Sequence, residues 1–177
     1  VWVYMGMSYS QLGRHEEELY AYDKALEIDP DFIFAWVYKA YGLDDIGRNE
    51  EAIEAYKKAI ELLEHTEEPA YKRYKTEMPI SLGYLYFKLG KYEEAIEYFE
   101  MAINAAPPGT NLEHIRTLID IAKKRLEAAK ASQSSKDDPF MVTTPSAKNE
   151  FKDKTMVSGN ISNFQKSFSY HSGINIK

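Results

Sequence analysis

Residues 36–59 read WVYKAYGLDDIGRNEEAIEAYKKA, and two other stretches of the chain repeat that reading. Residues 2–25, WVYMGMSYSQLGRHEEELYAYDKA, stand 34 positions earlier, so that Trp2, Gly13, Tyr22 and Ala25 recur as Trp36, Gly47, Tyr56 and Ala59. Residues 79–102, PISLGYLYFKLGKYEEAIEYFEMA, follow at a spacing of 43, where Gly47, Ala52, Tyr56 and Ala59 become Gly90, Ala95, Phe99 and Ala102. A period of this length holds two short helices and a turn. Such a unit cannot bury its apolar face alone, so successive units must stack into a solenoid. The predicted fold is all-α.

Periodicity and punctuation place the helices. The first pair is expected over about 1–11 and 15–28, the second over 33–45 and 49–64, and the third over 79–89 and 92–105. Gly13, Gly47 and Gly90 stand at the joints, where a left-handed residue ends a helix without a Cβ clash. Glu16-Glu17, Glu50-Glu51 and Glu93-Glu94 then put negative charge at the positive end of each second helix. Asn49 is the expected N-cap of the second of these. Pro30 and Pro107 close the first and third units. Gly6, Ala40 and Gly83 are small where paired helices approach, and Ala25, Ala59 and Ala102 are small where units meet. Aromatic residues fill the wedge between layers.

These positions resemble the tetratricopeptide repeat family, which spaces Trp, Leu, Gly and Tyr on its first helix, then Ala, an aromatic and Ala on its second, with a closing Pro. Unit one gives Trp2, Met5, Gly6, Tyr9, Glu18, Tyr22, Ala25 and Pro30. Unit two gives Trp36, Lys39, Ala40, Leu43, Ala52, Tyr56 and Ala59, with Glu64 in place of Pro. Unit three gives Pro79, Leu82, Gly83, Tyr86, Ala95, Phe99, Ala102 and Pro107. The resemblance implies a right-handed superhelix with repeats over about 1–32, 33–75 and 76–109.

Three departures stand out. Glu18 occupies a small-residue position, so the first pair is expected to pack loosely or to shift onto Ala21. Lys39 replaces an apolar residue and should snorkel outward. A nine-residue insertion separates units two and three. There the fourth helix should run long, with an extra turn or two through Ala70–Lys75 led by Pro69. That segment reads either as a side wall with a basic face (Lys72, Arg73, Lys75) or as an inert connector.

After Pro107-Pro108-Gly109, with Thr110 or Asn111 as N-cap, apolar residues at Leu112, Ile115, Ile119, Ala122 and Leu126 give one amphipathic helix. Its late cations (Lys123, Lys124, Arg125, Lys130) suit the helix dipole. A solenoid needs such a cap, here expected over 110–131; a membrane- or calmodulin-binding helix is the alternative. Residues 132–177 lose all periodicity and read as a disordered tail. Phe140, Phe151, Phe164, Phe168 and Tyr170 there suit a short linear motif or a fold-back into the groove. Asn160-Ile161-Ser162 matters only in a secreted protein.

A net charge of −6 argues against a nucleic-acid surface. Absent cysteine removes disulfides, thiolate metal sites and a thiol nucleophile, and leaves the redox compartment open; a cytoplasmic location is expected. No apolar run approaches a membrane span. Val1 falls inside a helical pattern and is read as a truncation. His15, His65, His114 and His171 lack metal-ligand spacing, and no phosphate loop or nucleophile elbow occurs. No cofactor and no enzymatic activity are expected.

In repeats of this kind the first helix of each pair lines the concave side. Helical spacing then points Val3, Tyr4 and Met7 inward, followed by Phe34, Tyr38, Tyr41 and Asp45, and by Ser81, Tyr84, Phe87 and Lys88. That wall reads as aromatic and nearly uncharged, fit for a partner's peptide with apolar anchors. Chaperone-binding members clamp a C-terminal carboxylate with Lys, Asn and Arg; Val3, Met7, Tyr38 and Ser81 stand at those places here, so that clamp is not expected. A structural role, by self-association or control of an attached domain, is the competing reading.

Overall fold

The computed structural model describes residues 1–134, and within them the periodic pattern becomes seven α-helices. These are α1 (Trp2–Gln11), α2 (His15–Ile28), α3 (Ile33–Asp45), α4 (Asn49–Glu64), α5 (Tyr74–Lys88), α6 (Tyr92–Ala105) and α7 (Glu113–Ser134), with one 3-10 turn at Pro69–Tyr71. No strand occurs among the described residues. The fold is an all-α helical repeat.

Each of the first three pairs turns on the same hydrogen bonds. Gly13, Gly47 and Gly90 have φ of 68°, 76° and 76°. The amides of Arg14, Arg48 and Lys91 reach back to the carbonyls of Tyr9, Leu43 and Tyr86 at 2.9–3.0 Å. The glycine amides reach Ser10, Asp44 and Phe87 at 3.0–3.1 Å. This double closure satisfies carbonyls that a helix end would leave bare. At the start of α4 the cap differs from expectation: Asn49 is the first helical residue and Arg48 precedes it without a capping side chain. Arg48 pairs instead with Glu51, Nε to Oε1 at 2.6 Å.

Packing follows the small residues. Tyr22, Tyr56 and Phe99 are wholly buried, and Gly6 and Gly83 face the rings of Tyr22 and Phe99. Between units one and two, Ala35 packs with Val3, Tyr22, Ala25 and Leu26. Lys39 does snorkel, bonding Asp23 at 2.6 Å with its ammonium 5.4 Å from the Trp36 ring. Glu18 is buried, bonded to His15 Nδ1 at 3.0 Å, and housed beside Gly42, whose missing side chain leaves the room; Ala21, the expected alternative small residue, is wholly buried.

The insertion is absorbed at both ends. Helix α4 runs to 16 residues where α2 and α6 have 14. The expected extra turns reduce to the single 3-10 turn, and α5 then begins at Tyr74, not at Pro79. Pro79 therefore lies inside the helix. Lys75 bonds Glu67 at 3.0 Å and Arg73 sits over the Tyr74 ring at 4.5 Å, so two of the three cations are engaged locally.

Helix α7 buries Ile115, Ile119 and Ala122. Asn111 Oδ1 accepts the Glu113 amide at 3.1 Å, as a cap should. Lys123 and Lys130 bond Glu100 and Glu93 at 3.4 and 3.0 Å, and Arg125 donates to the Tyr92 hydroxyl at 3.1 Å. These cations fasten α7 to α6. The helix continues to Ser134; the expected tail beyond it, with its phenylalanines and Asn160, lies outside the described residues.

Candidate functional site

The first helices of the three pairs, α1, α3 and α5, carry the residues that periodicity directs inward. Their placement is uneven. Tyr4 is 63% exposed, Met7 is half-buried against the Tyr22 cluster, and Val3 belongs to that cluster's core. Phe34, Tyr38, Tyr41 and Ser81 are half-buried, while Asp45 and Lys88 are exposed. Tyr84 and Phe87 correct the expectation of an open third face. Both are buried, Tyr84 edge-on to Phe99 at 5.4 Å, and Phe87 edge-on to Tyr92 at 5.5 Å with the Arg125 guanidinium over it at 5.3 Å.

In the middle of the wall the rings form one continuous set. Tyr38 stacks on Tyr22 at 6.2 Å and on Phe34 at 6.5 Å. Phe34 meets Tyr71 at 4.7 Å and Tyr74 edge-on at 5.8 Å. The Tyr38 and Tyr74 hydroxyls lie 3.5 Å apart. Tyr41 is edge-on to Tyr56 at 6.0 Å. Aromatic rings in such arrays hold apolar surface while their hydroxyls stay ready for polar partners. Burial pushes the phenols of Tyr38 and Tyr41 well up and that of Tyr84 up to about 12, so all are neutral donors across the physiological range.

Tyr71, half-buried, is a functional candidate that the sequence reading missed, and Tyr74, which meets the same Phe34 ring, is buried. The signal was present: stepping back from Tyr84 and Ser81 by helical intervals reaches Glu77 and Tyr74 on the same side of α5. Treating Pro79 as a helix start hid it.

Charge bounds the aromatic set at both ends, which corrects the picture of a nearly uncharged wall. At one end Arg73 donates to the Tyr74 hydroxyl and approaches Glu77 at 3.9 Å. Burial raises the Glu77 carboxyl, and Arg73 partly offsets this. At the other end Lys88 donates to Asp44 Oδ1 at 3.2 Å, and Asp44 Oδ2 accepts the Tyr56 hydroxyl at 3.3 Å. Asp44 is buried and ties the second unit to the third. Asp45 beside it has its carboxyl raised by desolvation and by the Asp44 and Glu18 carboxylates. Among the described residues no three His, Asp or Glu side chains gather to hold a metal ion, and no helix is long and apolar enough to cross a membrane.

Models of the tetratricopeptide repeat match residues 1–32, 35–62 and 80–107. No catalytic family is among these matches, and no curated protein matches the chain. Solved structures do. The first such domain of human RPAP3 shares 21% identity over 75% of this chain and 94% of that one, with a TM-score of 0.57. The TPR2AB domain of yeast Sti1, in a complex with pHSP90, shares 22% over 75% of this chain and 48% of that one, with a TM-score of 0.59. The first such domain of Spaghetti (RPAP3), bound to the HSP90 peptide SRMEEVD, shares 21% over 71% and 90%, with a TM-score of 0.57. At these identities the likeness is one of fold. Three matched helix pairs with a common turn chemistry settle the family: this chain belongs to the tetratricopeptide repeat family.

Proposed function

We propose that the chain is a protein-interaction module, with no catalysis of its own, that holds a peptide segment of a partner along the inner faces of α1, α3 and α5. The array is read as repeats over about 1–32, 33–75 and 76–109, closed by α7. The observation that carries the proposal is the set Phe34, Tyr38, Tyr41, Tyr71 and Ser81, with the buried Tyr74 hydroxyl 3.5 Å from that of Tyr38. It offers half-buried ring faces with hydroxyls between them, the combination that takes an apolar side chain and its neighbouring main chain together. Two of the similar solved structures are complexes, one with pHSP90 and one with an HSP90 peptide, which supports a peptide as the class of ligand.

The chemistry differs from carboxylate capture. Val3, Met7, Tyr38 and Ser81 stand where clamp residues would stand, so affinity rests on ring contacts and main-chain hydrogen bonds. Charges are confined to the ends, at Arg73 and Glu77 and at Asp45 and Lys88. A matching peptide is apolar at its centre and polar at both flanks.

Selection of a displayed random peptide library on the full chain tests this. Peptides enriched in aromatic and aliphatic residues should emerge and lose at least about tenfold in affinity on Tyr38→Ala, the scale of one central interface aromatic. Selected peptides that bind the still-folded variant undiminished would overturn the assignment.

A further inference from the structure

The connection from α4 to α5, residues 65–73, is longer than the one at 29–32 that joins α2 to α3. Within 65–72 every residue is exposed except Thr66 and Tyr71, which are half-buried. The hydrogen bonds of this stretch close on itself. The Glu68 amide donates to Thr66 Oγ1 at 3.3 Å, the Tyr71 amide to the Glu68 carbonyl at 3.0 Å, and the Lys72 amide to the Pro69 carbonyl at 3.3 Å. Lys75 bonds Glu67, but the Glu67 side chain is 94% exposed, and such a pair holds little. What joins the stretch to the aromatic wall is the Tyr71 ring, 4.7 Å from Phe34 and tilted by 49°.

We propose that residues 65–72 form a strap that opens to admit a peptide side chain to the Phe34 ring and closes over it, with Tyr71 as the latch. The proposal rests on the peptide reading of the wall. Exclusion is the first argument. With the two ring centres 4.7 Å apart, nothing fits between them. An inserted side chain needs about 7 Å, two carbon contacts of roughly 3.5 Å each, so Tyr71 must withdraw before that face of Phe34 is usable. Weak attachment is the second. A segment with one half-buried ring on the body, and with its backbone bonds from Glu68 to Lys72 all internal, opens at the low end of the range for local unfolding. A fixed anchor is the third. Tyr74 meets Phe34 edge-on at 5.8 Å from α5 and is buried, so the wall keeps its shape while the strap moves. Closing then lays the Tyr71 ring on the far side of the bound side chain. A latch of this kind lowers the association rate by the fraction of time it is shut, and it delays departure.

Stopped-flow binding of a peptide selected on the full chain reads the latch. Tyr71→Ala should raise the association rate severalfold, because the Phe34 face stands free, and the dissociation rate at least as much, because nothing closes over the ligand. Tyr71→Phe, which keeps the ring, should leave both rates near those of the unaltered chain. A fixed wall residue would change dissociation alone, so an association rate unchanged or lowered in Tyr71→Ala overturns the proposal. Hydrogen exchange on the free chain needs no peptide. The Tyr71 and Lys72 amides should exchange faster than those in the buried turns of α4 and α5, and severalfold faster again in Tyr71→Ala, with both helices unchanged. Exchange there as slow as in the helices, or indifferent to the substitution, also overturns the strap. A chain that binds no peptide yet shows this exchange pattern refutes the peptide reading and not the opening of the strap.

Discussion

Placing a methyl group on Gly83 puts the helix-pair packing under direct strain. A Cβ there would lie 2.6 and 2.7 Å from two carbons of the Phe99 ring and 3.2 Å from a third. Phe99 is wholly buried, so its ring has no solvent to swing into, and either the ring or α5 must move by about an ångström. Overpacking of this kind costs about 1–3 kcal/mol. Alanine returns about 1 kcal/mol as a better helix former than glycine. The net expectation for Gly83→Ala is a loss of about 1 kcal/mol, or about 4 °C in melting temperature for a folded unit of this size. Urea unfolding followed by far-UV circular dichroism should show a lower midpoint at unchanged slope. Adding Phe99→Leu should reveal a favourable coupling of about 1 kcal/mol between the two sites, because the shorter side chain clears the methyl. A gain of about 1 kcal/mol from Gly83→Ala alone, the value of helix propensity with nothing opposing it, would refute the close approach of α5 and α6.

Further outcomes follow from the same packing and electrostatics. Ala59 is wholly buried between layers, and Ala59→Arg should cost at least about 3 kcal/mol by overpacking and unpaired charge, read as a large fall in melting temperature. Raised phenol pKa values at Tyr22, Tyr38, Tyr41, Tyr56 and Tyr84 mean stability held below the ordinary tyrosine value near 10 and lost as pH rises towards the folded values. Tyrosinate absorbance from Tyr84 should appear only near pH 12, and from the other four only on alkaline unfolding. Complete reversible ionisation by pH 11 in a folded chain would contradict it. The Asp45 carboxyl is raised, so its ionised form opposes folding; Asp45→Asn should raise the melting temperature at pH 7, and the gain should vanish below about pH 4, where the unfolded carboxyl is also protonated.

The helices were legible because their turns are written in residues with few substitutes. A positive-φ glycine at 13, 47 and 90, followed by a glutamate pair, marks the same event three times, and the spacing does the rest. Glu18 was legible as an oddity but not as a solution, since the space it needs comes from Gly42 in the next unit. The wall was read less completely, for two physical reasons. Helical period gives the spacing of side chains along one helix but not how its partner helix and the following helix cover them. Tyr84 and Phe87 are buried, with Phe99 and Tyr92 of their own partner α6 and Arg125 of α7 on them. Proline was taken as a boundary, whereas Pro79 sits one turn inside a helix that opens at Tyr74. The turn lost in that step carries Tyr74, and the 3-10 turn before it carries Tyr71, the two rings that extend the aromatic set.

The most direct measurement is an amide chemical-shift map of the isotope-labelled chain titrated with a peptide selected on it. Binding along the inner faces predicts saturable changes at Phe34, Tyr38, Tyr41, Asp45 and Ser81, fading towards the outer surfaces of α2, α4 and α6. Changes gathered instead on those three helices, with the aromatic wall silent, would contradict the account.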